Sequence, residues 1–262
     1  MAGAARPMAP RPLSRSCRRL ARDAGLALSL CLAAPVASAQ TALSAIYEDA
    51  TTRYPHGALG DTVEHATLAV TLSDGRMLRA TWDAPVVFED TAPRLADLDG
   101  DGRPEILTVE AHETRGARLA IWAVTGDSLA PLVATPWIGQ RFRWLAPLGA
   151  ADLDGDGRME IAYVDRPHLA KILRVWRVTF PSPGTATLTE IATSPGLTNH
   201  RLRDPEIPGG IRDCAGGPEM ITADADWSRV IATRLTTQGT LASRDIGPWR
   251  PGALNAALAC PG

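Results

Sequence analysis

The sequence predicts an all-β fold, a small β-propeller of about four antiparallel four-stranded blades. Three observations predict it. An acidic stretch at Asp97–Ile106 recurs 55 residues later at Asp152–Ile161, almost letter for letter. Each copy is followed by short apolar runs of strand length, and 23 glycines and 21 prolines accompany a chain with no long run at helical spacing. A unit of about four short strands repeated at this interval has the size of one propeller blade.

The strands of the two repeated units follow directly from these apolar runs. Trp122 and Trp176 fall at nearly the same offset in their units, and Trp82 falls at the same place further upstream. Because each lies between apolar neighbours, we expect these three side chains to pack between blades. The predicted strands are Ile106–Val109, Arg118–Val124, Leu129–Ala134, Ile161–Val164, Lys171–Val178 and Thr185–Ala192.

A third unit carries a weaker copy of the acidic stretch at Asp213–Ile221. It keeps two acids, Asp213 and Glu219, and has Ile211 and Ala215 at the positions of two other carboxylates. Two carboxylates are too few for a tight cation site, because such sites use six to eight oxygens. We therefore expect this loop to be free of metal, with the next strand at 229–235.

The ends of the chain complete the predicted ring. Two β-like runs at 66–72 and 77–82 flank Ser73–Arg76, whose Asp-Gly pair is a strong hairpin signal. This hairpin is interpreted as a fourth blade lacking one strand. Residues 251–260 resemble 146–153 and are predicted to supply that strand, which would cover exposed strand edges. The predicted single domain covers 40–262, with blades near 60–90, 92–137, 145–195 and 198–248 and the closing strand near 251–260.

Residues 1–39 have the pattern of a cleaved secretory signal peptide. Six arginines precede an apolar run at 24–36, and Ala37-Ser38-Ala39 offers a cleavage site. A membrane span needs about 20 apolar residues, and this run is too short. We expect the mature protein to be exported to the periplasm or the medium, with no stable membrane insertion.

Removal of that segment changes the charge and the cysteine count. Residues 40–262 hold 21 basic and 28 acidic side chains, a formal charge of −7, which makes nucleic acid an unexpected partner because a basic face is its usual footprint. Two cysteines remain, Cys214 and Cys260. In an exported protein such a pair is expected to form a disulfide, and the proposed symmetry places both in equivalent loops of neighbouring blades. Two separate buried thiols are the alternative.

The acidic stretches have the composition of a cation site. Carboxylates at relative positions 1, 3, 5 and 9 can point into one short loop, where unpaired like charges would repel each other. Ca²⁺ takes six to eight oxygen ligands and suits this donor set. An EF-hand would need a bidentate glutamate at position 12, where Thr108 and Tyr163 stand. A turn rich in Asp and Gly that binds no metal is the remaining alternative.

The repeated Asp-x-Asp-Gly-Asp-Gly-x-x-Glu followed by an apolar strand resembles the FG-GAP/VCBS-type repeat of calcium-binding β-propellers. The resemblance is strong over 94–180, weak over 198–235 and architectural elsewhere. It implies antiparallel four-stranded blades with two structural Ca²⁺ ions, each in the loop that joins the first two strands of a blade. The implied ligands are Asp97, Asp99, Asp101, the Arg103 carbonyl and Glu105 in one loop, and Asp152, Asp154, Asp156, the Arg158 carbonyl and Glu160 in the other.

No catalytic constellation is visible, so an enzyme is not expected. The five histidines are scattered, and none has a zinc-type spacing. Three classes of function stay open: a non-enzymatic binding or scaffold module with an unknown protein or glycan partner, a lectin-like propeller, and a hydrolase that uses acidic residues such as Glu110 or Asp165. The lectin hypothesis depends on four tryptophans outside the repeated pattern, which are Trp137, Trp144, Trp227 and Trp249.

Overall fold

The structure, a computed structural model, describes residues 40–260. The predicted signal peptide lies outside the described residues. Within them the chain forms seventeen β-strands and one short helix, so the all-β prediction is confirmed. No helix in this part of the chain is long and apolar enough to cross a membrane.

The first sheet has eight strands and contains the whole N-terminal part of the described chain. Its order is β1-β2-β4-β6-β7-β8, with β3 paired to β2 and β5 paired to β6. The turn at Asp74 and Gly75 joins β2 to β3, as the sequence predicts, and Gly75 has a φ of 84° that favours glycine. The strands are β1 Ala42–Thr51, β2 Glu64–Leu72, β3 Met77–Thr81, β4 Val86–Phe88, β5 Arg94–Ala96, β6 Glu105–His112, β7 Gly116–Thr125 and β8 Ser128–Ala134.

Two smaller antiparallel sheets follow in the chain. The second sheet has the order β12-β11-β10-β9, and the third has the order β13-β15-β16-β17 with β14 paired to β15. Their strands are β9 Leu145–Ala151, β10 Glu160–Asp165, β11 Ile172–Ser182, β12 Thr185–Pro195, β13 Leu197–Thr198, β14 Gly210–Cys214, β15 Gly217–Asp224, β16 Arg229–Leu235 and β17 Leu241–Pro248.

Successive sheets share hydrophobic cores. Leu107 and Ile121 of the first sheet pack in one cluster with Ile161 of the second. Val164 of the second sheet packs in another with Met220 of the third. This covering on both faces explains why β6, β10 and β15 are almost entirely buried and read as continuous apolar runs. Each of these strands begins at or near the last acid of its loop.

The tryptophans of the repeat pack in hydrophobic clusters, but only Trp176 packs between two sheets as expected, because Trp82 and Trp122 pack within the first sheet. Trp82 and Trp122 meet edge to face with ring centroids 5.5 Å apart, inside the cluster that joins the N-terminal hairpin to β6 and β7. Trp176 packs against the cluster between the first and second sheets. The indole N–H groups of Trp82 and Trp122 donate to the Glu110 carboxylate, and that of Trp176 donates to the Tyr163 hydroxyl.

The predicted closing strand near 251–260 is wrong. This segment contains a short helix, α1 Ala253–Ala256, whose Leu254 is buried against Ile221 and Val230 of the third sheet. An alanine-rich run without alternation favours a helix over a strand. The N-terminal hairpin instead receives β1 as its extra strand, in register with β2 from Ala42 to Thr51.

The N-terminal strands also do not form a separate sheet. β4 pairs with both β2 and β6, so the hairpin and the first repeated unit share one hydrogen-bonded sheet. The predicted independent blade near 60–90 therefore merges with the next unit.

Candidate metal centre

The two acidic loops occupy corresponding places in their sheets. One joins β5 to β6 and the other joins β9 to β10, and the last acid of each loop, Glu105 or Glu160, is the first residue of the buried strand. The four loop glycines, Gly100, Gly102, Gly155 and Gly157, have φ between 76° and 83°. Residues other than glycine rarely adopt this backbone conformation, so the glycines allow the loop to curl back on its first aspartate.

In the first loop the aspartates converge. One carboxylate oxygen each from Asp97, Asp99 and Asp101 lies within 4.8 Å of the others. Asp97 also accepts hydrogen bonds from the N–H groups of Gly100, at 2.9 Å, and Gly102, at 3.0 Å, which fixes its carboxylate. Since ligands around one Ca²⁺ lie 2.3–2.6 Å from the ion, this separation is of the size that a single ion would bridge.

Glu105 completes the first loop from the buried side. Its Oε2 accepts a hydrogen bond from the Leu98 N–H at 2.9 Å, and no arginine contacts its carboxylate in the described part of the chain. Burial raises its pKa to about 7, and the charge of Asp99 adds to the shift. A cavity of about 90 Å³ lies beside it, lined by Asp99, Asp101, Glu105 and Ala123. An oxygen-lined space with an uncompensated buried carboxylate fits a hard cation.

The second loop has a similar backbone conformation but differs in the charged residues around its carboxylates. Its convergent group is Asp152, Asp154 and Glu160, again within 4.8 Å. Asp152 accepts hydrogen bonds from Gly155 at 2.8 Å and Gly157 at 2.9 Å, which repeats the first loop. Glu160 Oε2 accepts from the Leu153 N–H at 2.9 Å.

Arg177 of β11 enters this second loop. Its guanidinium donates to Glu160 Oε1 at 2.7 Å and to Asp154 Oδ2 at 2.6 Å, and it lies 3.1 Å from Asp156 Oδ2. Burial raises the pKa of Glu160, while the hydrogen bond and charge of Arg177 lower it. Glu160 of β10 lies opposite Arg177 of β11. In the first unit Ile106 of β6 lies opposite Trp122 of β7, so the next residue pair in that register is Glu105 and Ala123. The second loop therefore has a built-in cation where the first has a methyl group.

The third loop has the largest number of arginines beside its buried glutamate. Glu219 is almost fully buried, and three arginines converge on it: Arg212 and Arg234 donate through Nε at 2.9 and 2.8 Å, and Arg244 through Nη2 at 2.8 Å. Burial raises the pKa of Glu219, but these hydrogen bonds outweigh it and lower the pKa to about 2. Arg234 stands at the register position of Arg177, because Met220 faces Thr233.

A disulfide joins the third loop to the C-terminal segment. Cys214 and Cys260 are bonded, with Cα atoms 5.6 Å apart, so the predicted pair is confirmed. The bond ties the end of β14 to the residues after α1. The reason for the pairing differs from the one expected, because Cys260 follows a helix and does not lie in an equivalent blade loop.

Two of the predicted ligands lie outside the convergent groups of carboxylates. Asp156 lies outside the convergent group of the second loop, and Glu105 lies outside that of the first. Asp101 and Asp156 form ion pairs with the side chains of Arg103 and Arg158, two residues along the chain. These arginine side chains are about half exposed, so the pairs can open without cost to the core.

The acids proposed for hydrolysis are engaged in structural contacts. Glu110 is buried, accepts from the indoles of Trp82 and Trp122, and pairs with Arg118 at 2.6 Å. Asp165 pairs with Arg166 at 2.8 Å and with Arg174 at 3.0 Å. With both carboxylates held in ion pairs, neither is placed as a free general acid or base.

The structure also brings together histidines that are distant in the sequence. His168 Nε2 and His200 Nδ1 are 2.8 Å apart, and both rings pack on Trp144. Burial lowers the pKa of His168 to about 4, and the neighbouring His200 adds to the shift, so the ring is neutral at neutral pH. Trp144 is itself buried and donates to the Glu89 carbonyl at 2.8 Å, which removes it from the predicted surface tryptophans.

Residues 97–163 match the family model of the FG-GAP-like repeat. The match begins at the first ligand of the first loop and ends inside β10, so it contains both acidic loops. It supports the resemblance drawn from the repeated motif. A search of curated proteins found no significant match.

Proposed function

Because residues 97–163 carry an FG-GAP-like repeat, we propose that this chain is an exported, non-enzymatic binding or scaffold module whose acidic loops hold structural Ca²⁺. FG-GAP-type repeats are typically non-enzymatic, and the acids considered for hydrolysis are held in ion pairs. The partner is a protein or a glycan outside the cell membrane.

The observation that carries the calcium proposal is the first loop. Three convergent aspartates, a buried glutamate with a raised pKa and a cavity lie together there. Among the described residues the arginine paired with this group is Arg103, which is half exposed and contacts Asp101 and not the buried glutamate. Asp97, Asp99, Asp101 and Glu105 would hold the ion, with the Arg103 carbonyl as a further oxygen. The corresponding set in the second loop is Asp152, Asp154, Asp156, Glu160 and the Arg158 carbonyl. Bound Ca²⁺ supplies the positive charge that lets these carboxylates stay ionised side by side.

The role is structural because each loop connects the first two strands of its unit. A cation there holds the start of a buried strand to the strand before it. Anything that binds only the folded state stabilises it by about 2.7 kcal/mol at a hundredfold excess over its dissociation constant. For a domain of this size, that corresponds to a rise in melting temperature of roughly 5–10 °C.

Calorimetric titration of the disulfide-bonded protein with Ca²⁺ tests this proposal. We expect measurable binding heat, a higher melting temperature in Ca²⁺ and a return to the lower value in chelator. Asp99→Asn should weaken binding, whereas Asp213→Asn in the third loop is the matched control and should leave it unchanged. No binding heat together with no change in melting temperature would contradict the calcium assignment.

Export is tested separately. The full chain, expressed with its first 39 residues, should be recovered outside the cytoplasm with its N-terminus at Gln40. A protein retained in the cytoplasm with residues 1–39 intact would contradict the proposed localisation. The disulfide fits the same compartment, since disulfides persist in oxidising surroundings.

A further inference from the structure

A pocket of about 300 Å³ lies at the edge of the third sheet, away from the acidic loops. Trp227, Trp249 and Leu254 form its apolar wall, and Arg201, Asp204 and Glu206 supply its charged groups. The two indoles meet edge to face with centroids 5.4 Å apart. The guanidinium of Arg201 lies 3.9 Å from the Trp249 ring centre and 4.6 Å from that of Trp227.

The polar groups of this pocket have unused bonding capacity. The indole N–H groups of Trp227 and Trp249 have no hydrogen-bond partner in the described chain, whereas those of Trp82, Trp122, Trp144 and Trp176 all donate. The side chains of Asp204 and Glu206 likewise form no hydrogen bond or ion pair with a described residue. Half-buried indoles with free N–H groups are suited to a ligand that is apolar on one face and polar at its rim.

A second surface pocket provides the contrast. It has a volume of about 230 Å³ and also contains a tryptophan, Trp137. Its charged groups, however, are already paired, because Arg174 contacts both Asp165, at 3.0 Å, and Glu190, at 2.6 Å. The two pockets therefore differ in their charged side chains, which form ion pairs in the pocket at Trp137 and form none with described residues in the pocket at Trp227 and Trp249.

The chemistry of the pocket selects its ligand class. A cationic ligand would meet Arg201, and an anionic ligand would meet Asp204 and Glu206. A purely apolar ligand would leave all three charged groups without partners as it excluded water. A neutral sugar ring satisfies every group, because its C–H face packs on indole while its hydroxyls donate to carboxylates and accept from guanidinium and indole N–H.

We propose that the pocket formed by Trp227, Trp249, Arg201, Asp204 and Glu206 binds a neutral saccharide of one or two rings. This names the ligand class for the binding module proposed above and rests on that proposal. The backbone supports a preformed pocket. Trp227 is held at a φ of 61°, uncommon for a bulky residue, by a hydrogen bond from its N–H to the Asp224 carbonyl at 3.1 Å. On the facing side, Asn255 accepts from the Gly209 N–H at 3.1 Å.

Titration of the full, exported chain with a panel of neutral mono- and disaccharides, followed by tryptophan fluorescence and calorimetry, tests the proposal. We expect at least one neutral sugar to bind, and Trp249→Ala to weaken that binding at least about tenfold. Trp137→Ala, the control in the second pocket, should leave affinity unchanged. Because Trp249 also packs against the core, the double variant Asp204→Asn, Glu206→Gln tests the same site with exposed side chains and should weaken binding several-fold.

Three results would overturn the proposal: no binding by any neutral sugar, equal loss in Trp137→Ala, or preference for an acidic sugar or a peptide over the neutral panel. The titration is repeated in chelator, where binding should persist, since the third loop uses arginines in place of a metal. A failure of the calcium proposal with sugar binding retained, or the reverse, is therefore distinguishable.

Discussion

The loops 97–105 and 152–160 have similar backbone conformations and differ in the residue that lies beside their buried glutamate. In the first loop that residue is Ala123, and a cavity lined by carboxylates remains. In the second it is Arg177, whose guanidinium contacts Asp154, Asp156 and Glu160. The third loop keeps two of the acids, Asp213 and Glu219, and surrounds Glu219 with three arginines.

The loops meet one structural requirement in different ways. A glutamate at the start of a buried strand needs a positive charge, because an unpaired buried carboxylate is costly. The first loop has no arginine beside Glu105 in the described chain, and under the calcium proposal the ion would supply the positive charge. The third loop supplies that charge from three arginines, and the second supplies it from Arg177 alone. We therefore expect Ca²⁺ to bind the first loop more tightly than the second, where it competes with Arg177.

The largest expected effect is at Glu219. Replacing it by Gln leaves three neighbouring guanidinium groups without their carboxylate, and breaking a buried ion pair by removing one partner costs about 3–5 kcal/mol. Chemical denaturation with the disulfide intact measures this loss. Glu190→Gln is the control, because Glu190 pairs with Arg174 nearer the surface and should cost less than about 1 kcal/mol. Similar losses in the two variants would show that the arginine cluster is no stronger than a surface pair.

The next effect is the insertion of an arginine into the first loop. Ala123→Arg should place a guanidinium beside Glu105, as in the second loop, and weaken calcium binding there by at least about tenfold, or about 1.4 kcal/mol. Calorimetry gives the affinity and the number of sites. Ala123→Gln fills the same space without charge and should weaken binding less. Equal losses in both variants would mean that space, and not charge, separates the loops.

Much of this comparison could be predicted from the sequence, because its parts are local. The acidic loops, the buried strands after them and the hairpin at Ser73–Arg76 each follow from spacing and turn chemistry within a few residues. The cysteine pair followed from counting. The roles of Arg177 and Arg234 were missed, although a signal was present: Arg177 directly follows the repeated Trp176, where Ala123 follows Trp122.

The remaining failures have a common physical origin in contacts between distant parts of the chain. Residues 251–260 were interpreted by their similarity to 146–153, and their alanine content and packing on the third sheet made them helical. His168 and His200 meet only because two sheets are packed together. Trp144 and Trp249 look alike in the sequence, and burial alone separates a core residue from a pocket residue.

The reciprocal replacement, Arg177→Ala, should have a smaller effect in the opposite direction. Without its guanidinium the second loop resembles the first, so its affinity for Ca²⁺ should increase several-fold. The calcium-free protein should lose stability and recover it in Ca²⁺, since the carboxylates of Asp154 and Glu160 then lack a protein cation. Melting temperatures with and without chelator measure both changes. Arg174→Ala on the same strand is the control and should not increase the affinity.

The smallest effect is a dependence of stability on acid pH that originates at Glu219. Its pKa is about 2 in the folded protein, against an ordinary value of 4.5, so between these values the unfolded state binds more protons. The stabilisation from Glu219 is therefore complete above about pH 4.5 and is lost as the pH falls toward 2, by at most about 1.4 kcal/mol per pH unit.

Other carboxylates titrate in the same range, so the measurement is the difference between the native protein and Glu219→Gln in denaturant unfolding at pH 3.5 and pH 6. The gap between the two proteins should narrow at the lower pH, because only the native protein has this carboxylate to protonate. A gap of constant size would place the loss in Glu219→Gln in packing, and the third loop would then no longer be the charge-compensated counterpart of the first.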